Sequence, residues 1–243
     1  MLHAIVTGHS RGLGAALAEQ LLDRGIAVLG ISRKGNADLA ARFPALKEVA
    51  LDLSDTQSLL RWLSGPTLKG FLSGAGEVLL INNAGLLQPV GPIGTQDPAA
   101  IAKSVALNVT APMILSNAVA AQAMAASVTC RVLHVSSGVG RRPCAGWSVY
   151  SATKAALDHH ARGAALDDTP WLRVASLAPG VVDTDMQAEI RASDPAVFPM
   201  LPQFHELKDK NLLVAPADTA RKILDYLLAD DFRTGDINDV REF

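Results

Sequence analysis

The chain is short of net charge, aromatic rings, cysteine and long apolar runs, and each shortage closes off a class of protein. Its 22 basic against 24 acidic side chains leave a formal charge of −2, too near neutral for a surface that tracks nucleic acid backbones. Aromatic residues make up 5%, so alanine, leucine and valine must build the core. Two cysteines, Cys130 and Cys144, cannot frame a disulfide scaffold and read as reduced, inert thiols. No uninterrupted apolar run approaches the roughly 18 residues of a membrane span. Met1-Leu2 is followed at once by strand-like His3 to Thr7, with no room for the charged and apolar regions of a signal peptide. These shortages predict a cytoplasmic protein that engages neither nucleic acid nor membrane. In their place stands an apolar content of 49% with 19% charged residues over 243 positions. That balance excludes disorder and a charged coiled coil, and the length suits one large α/β domain.

Short apolar runs alternate with helix-period segments almost from end to end. The runs are Ile5-Val6, Ala27 to Ile31, Val49 to Leu51, Val78 to Ile81, Val132 to Val135 and Val174 to Leu177. Their continuous hydrophobicity suits strands buried on both faces of a parallel sheet. Between them, helices are predicted over Gly12 to Arg24, Thr56 to Leu63, Ala99 to Met124, Tyr150 to Leu166 and Ala217 to Leu228. Such alternation implies right-handed crossovers and a doubly wound sheet with helices on both faces. One stretch is irregular: residues 183–213 carry Pro195, Pro199 and Pro202 among Phe198, Met200, Leu201 and Phe204. A long, apolar, proline-broken segment in a compact domain predicts a lid.

Thr7-Gly8-His9-Ser10-Arg11-Gly12-Leu13-Gly14 follows the first strand and opens the first helix. Glycines there let the backbone approach a pyrophosphate, which the free N–H groups and partial positive charge of a helix start attract. The spacing is G-x-x-x-G-x-G, not the commoner G-x-G-x-x-G, and it is the placement between strand and helix that gives it meaning. Arg11 lies where it can reach a phosphate or stand free in solvent. The second strand ends in Ser32-Arg33-Lys34, where an NAD site needs a carboxylate for the ribose 2′-OH. A basic pair attracts a 2′-phosphate instead, so the expected cofactor is NADP(H). Asp52-Leu53, ending the third strand, are placed to meet an adenine ring; the competing role there is a helix N-cap, which Ser54 fills better.

Tyr150-Ser151-Ala152-Thr153-Lys154 sets a phenol and an ammonium four residues apart on one helix face. A free tyrosine, with a pKa near 10, is a poor acid–base group at neutral pH. A cation about 5 Å away, at an effective dielectric near 20, favours the phenolate by about 3 kcal/mol, or about two pK units, which brings Tyr150 into a range useful for proton transfer. Ser136-Ser137 ends the Val132 to Val135 strand, at the edge where such sheets hold their ligands, and the Ser137 hydroxyl can hold a carbonyl oxygen. Asn82-Asn83-Ala84-Gly85 ends the fourth strand, and Asn108 stands inside a helix that disfavours asparagine.

Taken in order, Thr7-Gly8-x-x-x-Gly12-x-Gly14, Asp52, Asn82 to Gly85, Asn108, Ser137, Tyr150-x-x-x-Lys154 and Pro179-Gly180 resemble the short-chain dehydrogenase/reductase family over nearly the whole chain. The resemblance implies one Rossmann-type domain, residues 1–243, and a catalytic tetrad of Asn108, Ser137, Tyr150 and Lys154. In it the tyrosine exchanges a proton with the substrate oxygen, the lysine lowers its pKa and binds the nicotinamide ribose, the serine positions the carbonyl, and the asparagine backbone holds a water. The implied NADP(H) contacts are Gly8, Ser10, Arg11, Gly12, Leu13, Gly14, Arg33, Asp52, Leu53, Asn83, Ala84, Gly85, Tyr150, Lys154, Pro179, Gly180, Val182 and Thr184.

The stretch from Asn83 to Pro112 resembles the sepiapterin and benzil reductase branch, implying a small ketone, diketone or aldehyde as substrate and NADPH-dependent carbonyl reduction. The Ala125 to Arg131 region has a single cation and the C-terminus no Gly-Gly, which speaks against the acyl-carrier-protein substrates of other members. An alcohol dehydrogenase of the same family is a further alternative. A non-catalytic dinucleotide sensor would be expected to lack the Tyr–Lys pair, and epimerases or dehydratases typically carry a larger C-terminal region. The short Gly138 to Val149 segment leaves no room for the extra helix of the family's monomeric members, so the resemblance implies a homodimer or homotetramer through the long helices. The remaining polar residues have plainer readings. His159 and His160 point about 100° apart, poor metal geometry, and no metal is expected. His9 reads as a loop residue and His134 as core, Arg141-Arg142 as a solvated loop or an anion contact, and Trp147 as packing or pocket wall.

Overall fold

The computed structural model describes Met1–Phe243. Seven strands, β1 (Leu2–Thr7), β2 (Ala27–Ser32), β3 (Leu46–Ala50), β4 (Glu77–Asn82), β5 (Thr129–Val135), β6 (Leu172–Ala178) and β7 (Ile237–Asp239), form a sheet in the order β3-β2-β1-β4-β5-β6-β7. Every neighbouring pair is parallel. The six apolar runs are the first six strands. In β4, for example, Val78 to Asn82 are all buried, because helices cover both faces. β7 escapes the pattern: only Ile237 of its three residues is apolar, and it joins the sheet by pairing with Ser176.

Alternate residues of the strands feed two separate cores. Val6, Leu79 and Ile81 face α1 (Gly12–Asp23) and α10 (Pro216–Leu228), meeting Leu17, Leu21, Ile223 and Leu224. Ile5, Leu80 and Val132 face the other way, onto α3 (Thr56–Leu63), α6 (Ala111–Ala126) and α7 (Ser148–Ala164) through Leu59, Leu115, Val119 and Ala161. The predicted helices stand within two residues at each end. The short α2 (Ala37–Arg42) and α4 (Thr67–Leu72) are too brief to show a period. The cap of α3 is Asp55, whose Oδ1 accepts the Ser58 N–H at 3.0 Å. Ser54, the expected cap, turns back to Asp52 instead.

The predicted Ala99 to Met124 helix is α5 (Pro98–Val105) and α6 joined by a single π turn, Ala106–Thr110. Together Pro98–Ala126 are long and apolar enough by composition to cross a membrane, with a mean hydropathy of 1.4 in the best window. The segment instead lies on the sheet, burying Ala111, Leu115, Val119 and Ala123 on one face. Residues 183–213 are not uniformly irregular, for they hold α8 (Asp185–Arg191) and α9 (Leu201–Asp209). They build a third, smaller core in which Ile190, Phe198 and Leu201 meet Leu87, Trp147 and Tyr150.

Leu79 is wholly buried in the central strand β4. Leu79→Ala should therefore cost about 2–5 kcal/mol, read as a lower urea midpoint at an unchanged m-value.

Candidate active site

β1 pairs with β2 on one side and β4 on the other, so successive crossovers leave it in opposite directions. A crevice opens there at the carboxyl edge, the place where open α/β sheets hold ligands. The phosphate loop follows β1 into it. Thr7 secures the loop, its Oγ1 accepting the N–H groups of Asn83 at 3.0 Å and Ala84 at 2.9 Å. Asn83 answers by donating from Nδ2 to the Thr7 carbonyl at 2.9 Å. The side chain of Asn83, expected among the cofactor contacts, is thus committed to holding two strand ends together. Gly14 shows how tight the loop is, since a Cβ there would lie 2.2 Å from the Gly8 carbonyl oxygen. The loop folds over its own helix start and leaves a cradle that suits a pyrophosphate.

Around the cradle the other expected residues fall unevenly. Arg11 reaches across to Asp185 at the start of α8, with Nη1 to Oδ2 at 2.5 Å, both side chains 69% exposed. A pair so exposed contributes about 0–1 kcal/mol, and the guanidinium keeps further donors. Thr184 lies beside Gly12, its Cγ2 3.2 Å from where a Cβ on residue 12 would be. Val182 is buried and bridges Val214. Leu53 is buried. Asp52 spends Oδ1 on the N–H and hydroxyl of Ser54; burial alone would raise its pKa, but those bonds, with Lys103 and Arg33 nearby, hold it low. Arg33 therefore lies on the Asp52 side of the β2 end.

α7 brings Tyr150 and Lys154 to the ends of β5 and β6, both buried. Lys154 Nζ donates to the Val135 carbonyl at 2.8 Å and lies 5.7 Å from the Tyr150 ring centroid. Ser137 follows β5 and lies near the Tyr150 hydroxyl, close enough to pull the phenol's pKa down. Asn108 occupies the π turn, a local widening that marks functional sites and accounts for an asparagine in mid-helix. Its side chain pairs twice with the Leu86 backbone, Nδ2 to O at 2.8 Å and Oδ1 from N–H at 3.0 Å, and donates to Thr153 at 3.2 Å. Gly85 lies between Asn108 and Lys154: a Cβ there would be 3.4 Å from Asn108 Oδ1 and 3.6 Å from Lys154 Nζ, in contact with both.

The electrostatics correct one expectation. Burial pushes the Tyr150 phenol up to about 12, with Ser137 pulling back, where spacing alone predicts a phenol drawn below 10. Burial likewise lowers Lys154 to about 8, with Asp158 acting the other way. Both groups are dehydrated, and at this distance the amine's attraction does not offset that cost. The phenol therefore stays protonated at neutral pH.

The other polar residues have structural partners. His134 is buried, its Nδ1 3.2 Å from Asn82 Nδ2 and its Nε2 3.0 Å from His160 Nδ1; burial holds its pKa near 3. Arg141 donates to the Asn238 carbonyl at 3.2 Å. Trp147 stacks on Phe198, with centroids 4.6 Å apart at 16°, and meets Tyr150 edge-on at 5.7 Å. It is a wall beside the phenol.

A parallel sheet whose strand order reverses between β1 and β4, a glycine cradle at that switch point and a Ser137–Tyr150–Lys154 group beside it define a dinucleotide-dependent oxidoreductase. The family model described as short chain dehydrogenase matches residues 2–195, and the chain belongs to that family, whose members use NAD(P)(H) on small molecules. It is 33% identical to a benzil reductase ((S)-benzoin forming) of Bacillus cereus, over 98% of both chains. It is 35% identical to the sepiapterin reductase of Meriones unguiculatus, over 95% of this chain and 93% of that one. A solved short-chain dehydrogenase/reductase from Burkholderia vietnamiensis is 50% identical, with a TM-score of 0.73 over 95% of this chain and 93% of that one. The branch expected from Asn83 to Pro112 is the one these reductases occupy.

Gly14→Ala forces the phosphate loop off the Gly8 carbonyl. It should weaken dinucleotide binding at least about tenfold, the equivalent of about 1.4 kcal/mol, measured by quenching of tryptophan fluorescence on titration with NADPH.

Proposed function

We propose that this protein is an NADPH-dependent carbonyl reductase acting on a small ketone, diketone or aldehyde that carries an apolar or aromatic group. The observation that carries the reading is the buried Tyr150 phenol, faced by Ser137 and walled by Leu87, Trp147 and Phe198. Dinucleotide would lie along Gly8 to Gly14, with Ser10, Leu13, Asp52, Leu53, Ala84 and Gly85 toward its adenosine half and middle, and Pro179, Gly180, Val182 and Thr184 toward the nicotinamide. Arg11 and Arg33 supply the positive charge for a 2′-phosphate. When bound, the reduced nicotinamide supplies a hydride for the carbonyl carbon. Ser137 donates a hydrogen bond to the carbonyl oxygen and orients it. Tyr150 gives its proton to that oxygen as negative charge develops, which requires a protonated phenol, the form that burial enforces. Lys154, an ammonium below about pH 8, replaces the proton by way of a water that the backbone at Asn108 would hold. Charge is conserved: one hydride and one proton convert the carbonyl to an alcohol. Residues 183–213 act as a lid whose aromatic side chains keep water from the reacting carbon. The names of the benzil and sepiapterin reductases support a carbonyl flanked by a ring or a second carbonyl. The assembly is a homodimer or homotetramer through the long helices, where Val105 and Met124 stand exposed.

The test is NADPH oxidation, followed by absorbance, over a panel of aldehydes, aryl ketones, diketones and pterins. Turnover on none of them, with NADPH bound, would refute the reading. Tyr150→Phe should keep NADPH affinity and lose about 10²–10⁴-fold in kcat; activity within tenfold of wild type would remove Tyr150 from the chemistry. The pH profile has a defined sign. Lys154 must be protonated to resupply the proton, so reduction should be level below and fall above about pH 8, while oxidation of the product alcohol rises through the same region. A reduction rate level to pH 10 contradicts the role given to Lys154.

A further inference from the structure

Beneath the phosphate loop, away from Tyr150, lies a histidine–carboxylate pair that the chemistry above does not use. His9 stands in the loop yet is 0% exposed. Its Nε2 donates to Glu48 Oε1 at 2.7 Å, and its Nδ1 has no partner. The ring rests against Gly30 of β2, where a Cβ would come within 2.5 Å of three ring atoms. Glycine at position 30 is therefore the complement of histidine at position 9. Glu48 projects from the edge strand β3, in register with Gly30. The same Oε1 accepts the backbone N–H of Asn36 at 2.6 Å. Asn36 caps α2 through Oδ1, accepting the Leu39 N–H at 3.1 Å, and donates from Nδ2 to the Ser10 carbonyl at 3.3 Å. Burial would raise the Glu48 pKa, but the bonds from Asn36 and His9 prevail and hold the carboxyl below its ordinary range. One carboxylate oxygen thus ties His9 of the phosphate loop to Asn36 of the β2–α2 loop, and the Asn36 amide adds a second tie to the Ser10 carbonyl.

We infer that His9 and Glu48 are positioning residues for recognition of the adenosine ribose. They fix the phosphate loop and the β2–α2 loop at one separation, so a 2′-phosphate meets groups already arranged and not two loops that must order on binding. This rests on the NADP(H) reading above. Neither residue touches the nucleotide. Their effect passes through Asn36 and the backbone at Ser10.

The experiment is calorimetric titration with adenosine 2′,5′-bisphosphate and with 5′-AMP, which differ only in the 2′-phosphate and support no turnover. Wild type should prefer the bisphosphate. Glu48→Ala should reduce that preference roughly tenfold, and Glu48→Gln, which keeps an oxygen at the same reach, should restore most of it. Glu48→Ala combined with Arg33→Ala should lose little more than Arg33→Ala alone, because the guanidinium is what the pair aims. His9→Ala, which leaves the carboxylate in place, reads the same ratio should Glu48→Ala not fold. A lower melting temperature with an unchanged ratio, and losses that add in full, would overturn the inference and reduce the pair to fold support. A wild type without preference refutes the NADP(H) reading instead. The pair is then judged on 5′-AMP: a tenfold loss in Glu48→Ala with rescue by Glu48→Gln upholds it, and an unchanged affinity overturns it.

Discussion

A parallel sheet sends every strand toward the same edge, and the whole active region depends on what happens there. The crossovers diverge beyond the paired ends of β1 and β4 and leave room, and the segments after β1, β4, β5 and β6 converge on it, bringing Gly8 to Gly14, Asn82 to Gly85, Ser136-Ser137 and Pro179-Gly180 together. Those four pieces lie far apart in the chain. The first two are held in contact by Thr7 Oγ1, which accepts two backbone N–H groups from the end of β4, and by the Asn83 amide, which donates to the Thr7 carbonyl. A valine of the same shape would leave both donors unpaired at the crevice floor.

Dehydration governs the chemistry on the other side of the crevice. α7 is long enough to carry Tyr150, Lys154 and Asp158 on one buried face, and each needs a partner once water is gone. Lys154 has the Val135 carbonyl, Asp158 accepts the Ser176 hydroxyl at 2.6 Å, and Ser136 donates to the Lys154 carbonyl at 3.3 Å. The helix is thereby moored to β5 and β6 by polar contacts as well as apolar ones. Burial pulls the phenol and the amine toward their neutral forms. In the function proposed above, the pair is then an acid with a reservoir behind it.

Much of this was legible in the sequence, for a physical reason. Strands buried on both faces are continuous apolar runs, and the chemistry sits in turns that leave motifs at strand ends, so β1 to β6, the loop at Gly8 to Gly14 and the Tyr150–Lys154 spacing were all readable. What stayed hidden depends on contact and not on period. β7 has one apolar residue and exists because β6 offers an edge. α8 and α9 are too short and proline-flanked to show a helical repeat. The Tyr150 pKa went the opposite way because spacing specifies a distance and says nothing of how much water is lost. Glu48, in an exposed edge strand, carries no signal at all in the chain; only the pairing of Gly30 with a buried His9 reveals it. A histidine inside a phosphate loop, together with a glycine inside an apolar strand, was the one available hint.

The third core has a consequence for how such a protein can change. Trp147, Phe198, Phe204 and Leu201 pack on one another and on Tyr150, but share no residue with the two cores that hold the sheet. Substitutions within it can reshape what is admitted next to the phenol while the layers that set overall stability and the nucleotide cradle are left intact. With the lid role proposed for residues 183–213, selectivity and scaffold fall on separate hydrophobic units, and drift in one is cushioned from the other. A lineage built this way can exchange one carbonyl compound for another by repacking a handful of rings, without first acquiring a more stable frame.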